Sequence, residues 1–218
     1  MLLAVGGTKG GTGKTTLATN IAAWRAQDGV DVLLVDADPQ GSAATWAGAR
    51  SEHEIDPRVQ CVTMRGGKIT RDLVDLRERY HDVIIDTGGR DAPELRCAIA
   101  ACDVLVIPIQ ASQYDVDTIS TMSELLEQAN AMRTDSVNAR VVLTRVPTNP
   151  QMREWKEASE VVADYEDLKL EKAMIRERVV WRRTSDGYSL AEMDERDTKA
   201  EDELDRLYRS IYAAEVMA

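Results

Sequence analysis

A chain of 218 residues, 44% apolar and 30% charged, has the composition of one globular α/β domain with a sizeable core. Its net charge of −11, from 38 acidic and 27 basic residues, excludes a histone-like basic surface. A local basic patch stays open, because nucleic acid senses charge within about 10 Å. No apolar run approaches the roughly 20 residues that span a bilayer, and the scattered Cys61, Cys97 and Cys102 exclude a disulfide framework and fit a reducing cytoplasm.

In chain order, apolar runs rich in Val, Ile and Leu alternate with helical patterns. Strands are expected at Leu2–Gly6, Val32–Asp36, Gln60–Met64, Val83–Asp86, Val104–Pro108, Arg140–Thr144 and Lys172–Ile175. Several are continuous apolar runs, which fits parallel strands buried on both faces. Helices are expected at Thr15–Gln27, Ile69–Tyr80, Pro93–Ala101, Val116–Met132, Met152–Tyr165 and Ala200–Ala214. The alternation implies right-handed crossovers and an α/β fold with a doubly wound, mostly parallel sheet and helices on both faces. No linker splits residues 1–218, so one domain is expected. Because the first strand starts at once, neither a signal peptide nor a preceding DNA-reading domain is expected. Residues 183–199 read as a turn and a short acidic segment.

The richest stretch is Lys9-Gly10-Gly11-Thr12-Gly13-Lys14-Thr15-Thr16, between the first strand and the first helix. Its glycines let backbone N–H groups turn inward on anionic oxygens, and the helix adds its positive dipole end. In such a loop Lys14 reaches the β- and γ-phosphates and the Thr15 hydroxyl ligates Mg²⁺. The strict pattern wants glycine at position 8, where Thr8 stands. Lys9 comes too early in the loop to do the work of Lys14. This string resembles the deviant Walker A motif of the ParA/MinD family of dimeric P-loop ATPases. The resemblance covers nearly the whole chain and is most specific before residue 116. It implies that Lys9 crosses a face-to-face dimer to touch the partner's nucleotide.

Asp36-Ala37-Asp38-Pro39-Gln40-Gly41 ends the second strand and resembles that family's switch I. The resemblance implies that Asp36 helps hold the Mg²⁺ shell and that Asp38 orients the attacking water. Val83–Asp86 followed by Thr87-Gly88-Gly89 is similar to a Walker B strand and switch II, with Asp86 holding Mg²⁺ through water. Many relatives carry prolines where this chain has Gly88-Gly89. Val106–Gln110, with Ser112 and Asp115 after it, resembles the family's strand and loop on the dimer side. The base is expected near Thr144–Pro147 and Ile175–Glu177, with Thr144 and Arg145 among the nucleotide contacts. No guanine-selecting Asn-Lys-x-Asp string is present, so ATP is the expected nucleotide.

Residues 172–183 hold five basic side chains (Lys172, Arg176, Arg178, Arg182, Arg183) against one acid, Glu177. Such a cluster suits non-specific phosphate binding. In small ParA relatives, basic residues of this region contact the nucleoid, which implies double-stranded DNA as a partner of the ATP dimer. Arg145, Arg153 and Lys156 could widen the patch, and Trp181 reads as packing. The last helix carries an apolar stripe, Leu204, Leu207, Tyr208 and Ile211, between acidic flanks. It reads as packing against the sheet, not as the basic membrane helix of MinD relatives.

The combined expectation is a cytoplasmic, nucleoid-associated positioning ATPase whose hydrolysis is stimulated by an adaptor protein on the cargo. That cargo could be a plasmid, a carboxysome or other microcompartment, or a protein array. Two other classes share the P-loop pattern. One is an iron–sulfur ATPase or reductase of the nitrogenase iron protein type, with Cys97 or Cys102 bridging a dimer. The other is a small-molecule synthetase of the dethiobiotin or cobyrinic-acid type. His53 and His81 have no ligand-like spacing.

Overall fold

A computed structural model describes residues 1–110, 116–149, 151–152 and 154–213. Ser112, Asp115 and Arg153, and the expected end of the last helix at 214, lie outside the described residues. Seven strands form one sheet among them: β1 (Leu2–Val5), β2 (Val32–Asp36), β3 (Gln60–Thr63), β4 (Asp82–Asp86), β5 (Val104–Gln110), β6 (Asn138–Thr144) and β7 (Lys169–Leu170). The order is β3-β2-β4-β1-β5-β6-β7, and every pairing is parallel.

Side chains of β1 alternate between two cores, as a period of two requires. Leu2 and Ala4 join Leu33, Val35, Val83 and Ile85 on one face. That face is covered by Leu73 of α3 (Thr70–Arg77), Leu95 and Ile99 of α4 (Pro93–Ala101), and Ile119 and Met122 of α5 (Val116–Asn130). Leu3 and Val5 join Leu34 and Ile84 on the other face. There they meet Leu17 and Ile21 of α1 (Lys14–Gln27) and Trp46 of α2 (Ser42–Glu52). Two-sided burial is why β1, β2 and β4 read as unbroken apolar runs. The remaining helices are α6 (Glu154–Ala163), α7 (Val180–Arg183) and α8 (Thr198–Ile211). The stripe of α8 packs on the α1 face, with Leu204, Leu207, Tyr208 and Ile211 all buried. Among the described residues no helix is long and apolar enough to cross a membrane.

Two elements depart from the sequence expectation. Helix α2 was not expected, because its buried stripe is only Ala43, Trp46 and Arg50. A charged residue breaks the apolar pattern that announces a helix. Arg50 is 1% exposed and is satisfied by Glu192 (2.6 and 2.7 Å) and by the carbonyls of Pro57 and Gly187. The last strand lies at Lys169–Leu170, not at Lys172–Ile175. The later stretch still runs beside β6, through Ile175 N–H to Leu143 O (2.9 Å) and a bridge between Val146 and Arg176. Residues 184–186 and 190–192 form single 3₁₀ turns within the segment expected to be irregular.

Candidate nucleotide site

Every loop expected to carry chemistry leaves the carboxyl end of a parallel strand. In an open α/β sheet that edge is where ligands bind. The loop after β1 leads into α1, whose N-cap Gly13 has φ 93°, with Gly11 at φ 75°. Both lie in the left-handed region that favours glycine. Lys14 is 6% exposed, and its Nζ donates to Lys9 O at 2.7 Å, folding the side chain back along the loop. Burial lowers the Lys14 pKa, while Asp86 and Asp38 act to keep the charge. Gln110 at the end of β5 donates to Gly11 O at 2.8 Å. The Thr144 hydroxyl lies 2.9 Å from Thr12 O and 3.2 Å from Ile109 O. Strands β5 and β6 therefore fasten the loop from beneath.

Thr15 Oγ1 donates to Asp86 Oδ2 at 2.8 Å. Asp86 is fully buried, and its Oδ1 has no hydrogen-bond partner among the described residues. An orphaned buried carboxylate oxygen beside a threonine hydroxyl fits Mg²⁺, a hard cation that takes oxygen ligands and keeps several waters. Burial, with repulsion from Asp36 and Asp38, raises the Asp86 pKa to about 7, against the pull of Thr15 and Lys14. The sign follows from proton counting. Between about pH 4 and 7 the unfolded chain has lost this proton and the folded one keeps it, so the group lowers stability as pH rises. Without nucleotide or Mg²⁺, Asp86→Asn should gain thermal stability over the wild type progressively across that window. The gain should level above about pH 7. A difference in Tm that does not change with pH would contradict the raised value.

Asp36 and Asp38 are held differently. Asp36 is fully buried; its Oδ1 accepts from Asp38 N–H (3.1 Å), and its Oδ2 accepts from Ala44 N–H (2.8 Å). Arg65 adds a contact to Oδ1 at 3.3 Å. These partners turn the carboxylate toward the 37–44 loop and tie switch I to the start of α2. Asp38 is half-buried at the cavity wall, with Oδ1 accepting from Gln40 N–H at 3.0 Å. A Cβ on Gly88 would stand 3.3 Å from that same oxygen, so Asp38 touches the loop after β4. A Cβ on Gly89 would lie 2.7 Å from Gly10 Cα, which only glycine allows. The Gly88-Gly89 pair thus lets the two loops close on each other.

A cavity of about 610 Å³ runs between the P-loop, Asp38–Gln40 and Gly88–Arg90. A second, of about 390 Å³, shares Gly13, Thr15, Thr16, Ser42 and Arg145 with it and extends past Leu17 to Ile175–Arg178 and Thr184–Ser185. The first holds the polar groups suited to phosphates. The second is lined by Leu17, Trp46, Ile175 and Trp181 and suits a nucleoside. Thr144–Pro147 and Ile175–Glu177 meet there through Val146 N–H to Ile175 O (3.1 Å) and Glu177 N–H to Val146 O (2.9 Å). Arg145 joins the two cavities at φ 49°, a costly conformation for a residue other than glycine and one found at functional sites. Thr144 serves by tying down the P-loop. Sequence reading missed Gln110 as a P-loop anchor, and it missed Arg65, Arg90, Trp46, Thr184 and Ser185. Only Arg90, directly after Asp86-Thr87-Gly88-Gly89, had a local signal.

The expected DNA cluster is divided. Arg176 and Arg178 line the nucleoside cavity. Arg176 donates to Pro147 O at 2.8 Å, and Arg178 bonds Glu203 at 2.7 Å with Asp197 at 3.7 Å. The Arg178 side chain is 15% exposed, and its bond to Glu203 raises its pKa. It is not a surface cation, which corrects its assignment to DNA. Arg182 pairs with Glu177 at 3.7 Å, and Arg183 pairs with Glu195. Lys172 lies apart, in a groove with Lys169 and Arg206. Cys97 and Cys102 are buried in the α4 core, and burial pushes the Cys102 thiol up to about 12. Neither presents its sulfur at a surface where a dimer could share a cluster.

A family model described as the CobQ/CobB/MinD/ParA nucleotide binding domain matches residues 3–186. The chain is 28% identical over 211 residues to the maintenance of carboxysome distribution protein A of Halothiobacillus neapolitanus, covering 96% of this chain and 95% of that one. It is 33% identical over 155 residues to the chromosome-partitioning ATPase Soj of Thermus thermophilus, covering 59% of this chain and spanning 62% of the relative's length. Among solved structures, apo McdA of Cyanothece superposes with a TM-score of 0.79 at 18% identity, covering 96% of this chain and 98% of that one. That likeness bears on the fold.

Proposed function

The chain belongs to the CobQ/CobB/MinD/ParA nucleotide-binding family, and on that premise we propose that it is an ATP hydrolase that positions cargo by an ATP-gated cycle on DNA. ATP closes two copies into a dimer. The dimer binds duplex DNA without sequence preference, and a cargo-bound adaptor stimulates hydrolysis and releases it. The protein works in the cytoplasm, on the nucleoid. The observation that carries this reading is the single crevice in which Lys14, Thr15 and Asp38 line one phosphate-sized cavity beside a nucleoside-sized one, with Asp86 held behind Thr15 by its hydroxyl. The two curated relatives, named for chromosome partitioning and carboxysome distribution, support a positioning role.

The geometry supports the following roles within one copy, and the family resemblance supplies that of Lys9. Backbone N–H groups of Gly10–Thr16 and the Lys14 ammonium hold the phosphates, and α1 directs its positive end at them. Thr15 and Asp86 hold Mg²⁺, which supplies charge neutralisation on the β- and γ-oxygens. Asp38 orients the attacking water, and Asp36 keeps the Asp38 loop in register. Lys9 of one copy serves the nucleotide of the other. Light scattering in the presence of ATP tests this: wild type should double its mass, and Lys9→Ala should bind ATP yet stay monomeric with little turnover. Normal dimerisation and turnover in Lys9→Ala would remove it from the interface.

A further inference from the structure

We propose that the DNA contact of this protein lies in a groove at the β7 edge of the sheet, lined by Lys169, Lys172 and Arg206, and not on the arginines of residues 176–183. The inference rests on the DNA-binding reading above and assigns it a surface.

The groove holds about 520 Å³ and is bounded by β7, the residues after it and one face of α8. Lys169, Lys172 and Arg206 are all exposed. None of the three enters an ion pair among the described residues, whereas Arg176, Arg178, Arg182 and Arg183 each do. A carboxylate paired with an arginine offsets the positive charge that a phosphate would meet. Three cations without a carboxylate partner carry no such offset.

The one acid in the groove is neutralised. Glu171 is 4% exposed, with Oε1 held by Arg140 at 2.7 Å and Oε2 accepting from Ser210 Oγ at 2.7 Å. Arg140 also donates to Ser210 O at 2.9 Å, which locks α8 to β6 and fixes the floor beneath the three cations. Three exposed cations thus line one groove whose single lining acid is already paired, in a protein whose net charge is −11.

The chemistry favours a nucleic-acid backbone. Two lysines at and just after β7 and one arginine of α8 line one groove, and cations so placed position phosphates without reading bases. A lipid surface is the poorer match. The apolar stripe of α8 is turned into the core, so this helix offers no apolar face to a bilayer. Among the described residues β7 is the edge strand of the sheet.

The test is fluorescence anisotropy of random-sequence duplex DNA with ATP across a salt series. It compares wild type, the triple variant K169E/K172E/R206E, the milder K169Q/K172Q/R206Q, and R183E. Thermal unfolding of each variant checks that it folds. The glutamate triple variant should bind at least roughly 100-fold more weakly. The glutamine variant should lower the salt slope by about one unit per cation that contacts a phosphate. R183E should stay within about twofold of wild type. Wild-type binding with an unchanged slope in the glutamine variant would overturn this assignment while leaving the DNA reading intact. So would loss of binding in R183E alone. A wild type that binds no DNA with any nucleotide, or that uses these residues only on phosphatidylglycerol vesicles, would overturn the DNA reading itself.

Discussion

Lys14→Ala should lose ATP affinity by a factor of roughly 30 to several thousand, since truncating a buried charge partner costs about 2–5 kcal/mol. The structure explains why no neighbour can substitute. Lys14 is 6% exposed and already threaded along the loop to Lys9 O, so its ammonium sits inside the curl of backbone that would hold the phosphates. Burial works against its charge, and Asp86 and Asp38 offset that cost before any nucleotide arrives. With alanine there, the acids would face the phosphates without a counter-charge. Lys9 starts the loop five residues before Lys14, too early to reach the same phosphates. Isothermal titration with a slowly hydrolysed ATP analogue measures the effect. Affinity within a few-fold of wild type would refute the P-loop assignment.

Asp38→Ala should separate binding from turnover. Positioning and activating a water is worth roughly 10²–10⁴ in rate, so hydrolysis should fall by about that factor while ATP binding persists. The ATP-state dimer should then accumulate. Asp38 is placed for this work at the cavity wall, with one oxygen on Gln40 N–H and its edge against Gly88. Asp36 is not, because its oxygens are committed to the amides of Asp38 and Ala44 and to Arg65. Removing Asp36 should instead loosen the whole 37–44 loop. Single-turnover hydrolysis by Asp38→Ala at the wild-type rate would refute its water-orienting role.

The sheet and phosphate loop were legible because their signals are local. Runs buried on both faces announce β1, β2 and β4, and the glycine–lysine string announces the turn between β1 and α1. What escaped was set by partners distant in sequence. Helix α2 hides because Arg50 completes its buried stripe, and that burial is made tolerable by Glu192, 142 residues away, together with the carbonyls of Pro57 and Gly187. The saturation of Asp36 depends on Arg65 and on Ala44 N–H, neither of which its own motif reveals. Likewise, charge counting grouped Lys172 with Arg176–Arg183. The fold parts them, because Glu203 and Asp197 claim Arg178 and the nucleoside cavity takes Arg176. Net charge along a segment does not record which carboxylates fold onto it.

The central claim is that ATP gates attachment to DNA. The most direct test is binding of the wild-type protein to random-sequence duplex DNA with ATP, with ADP and without nucleotide, at low and moderate salt. The account predicts tight, salt-sensitive binding with ATP alone. Equal binding in all three states, or none in any, would contradict it.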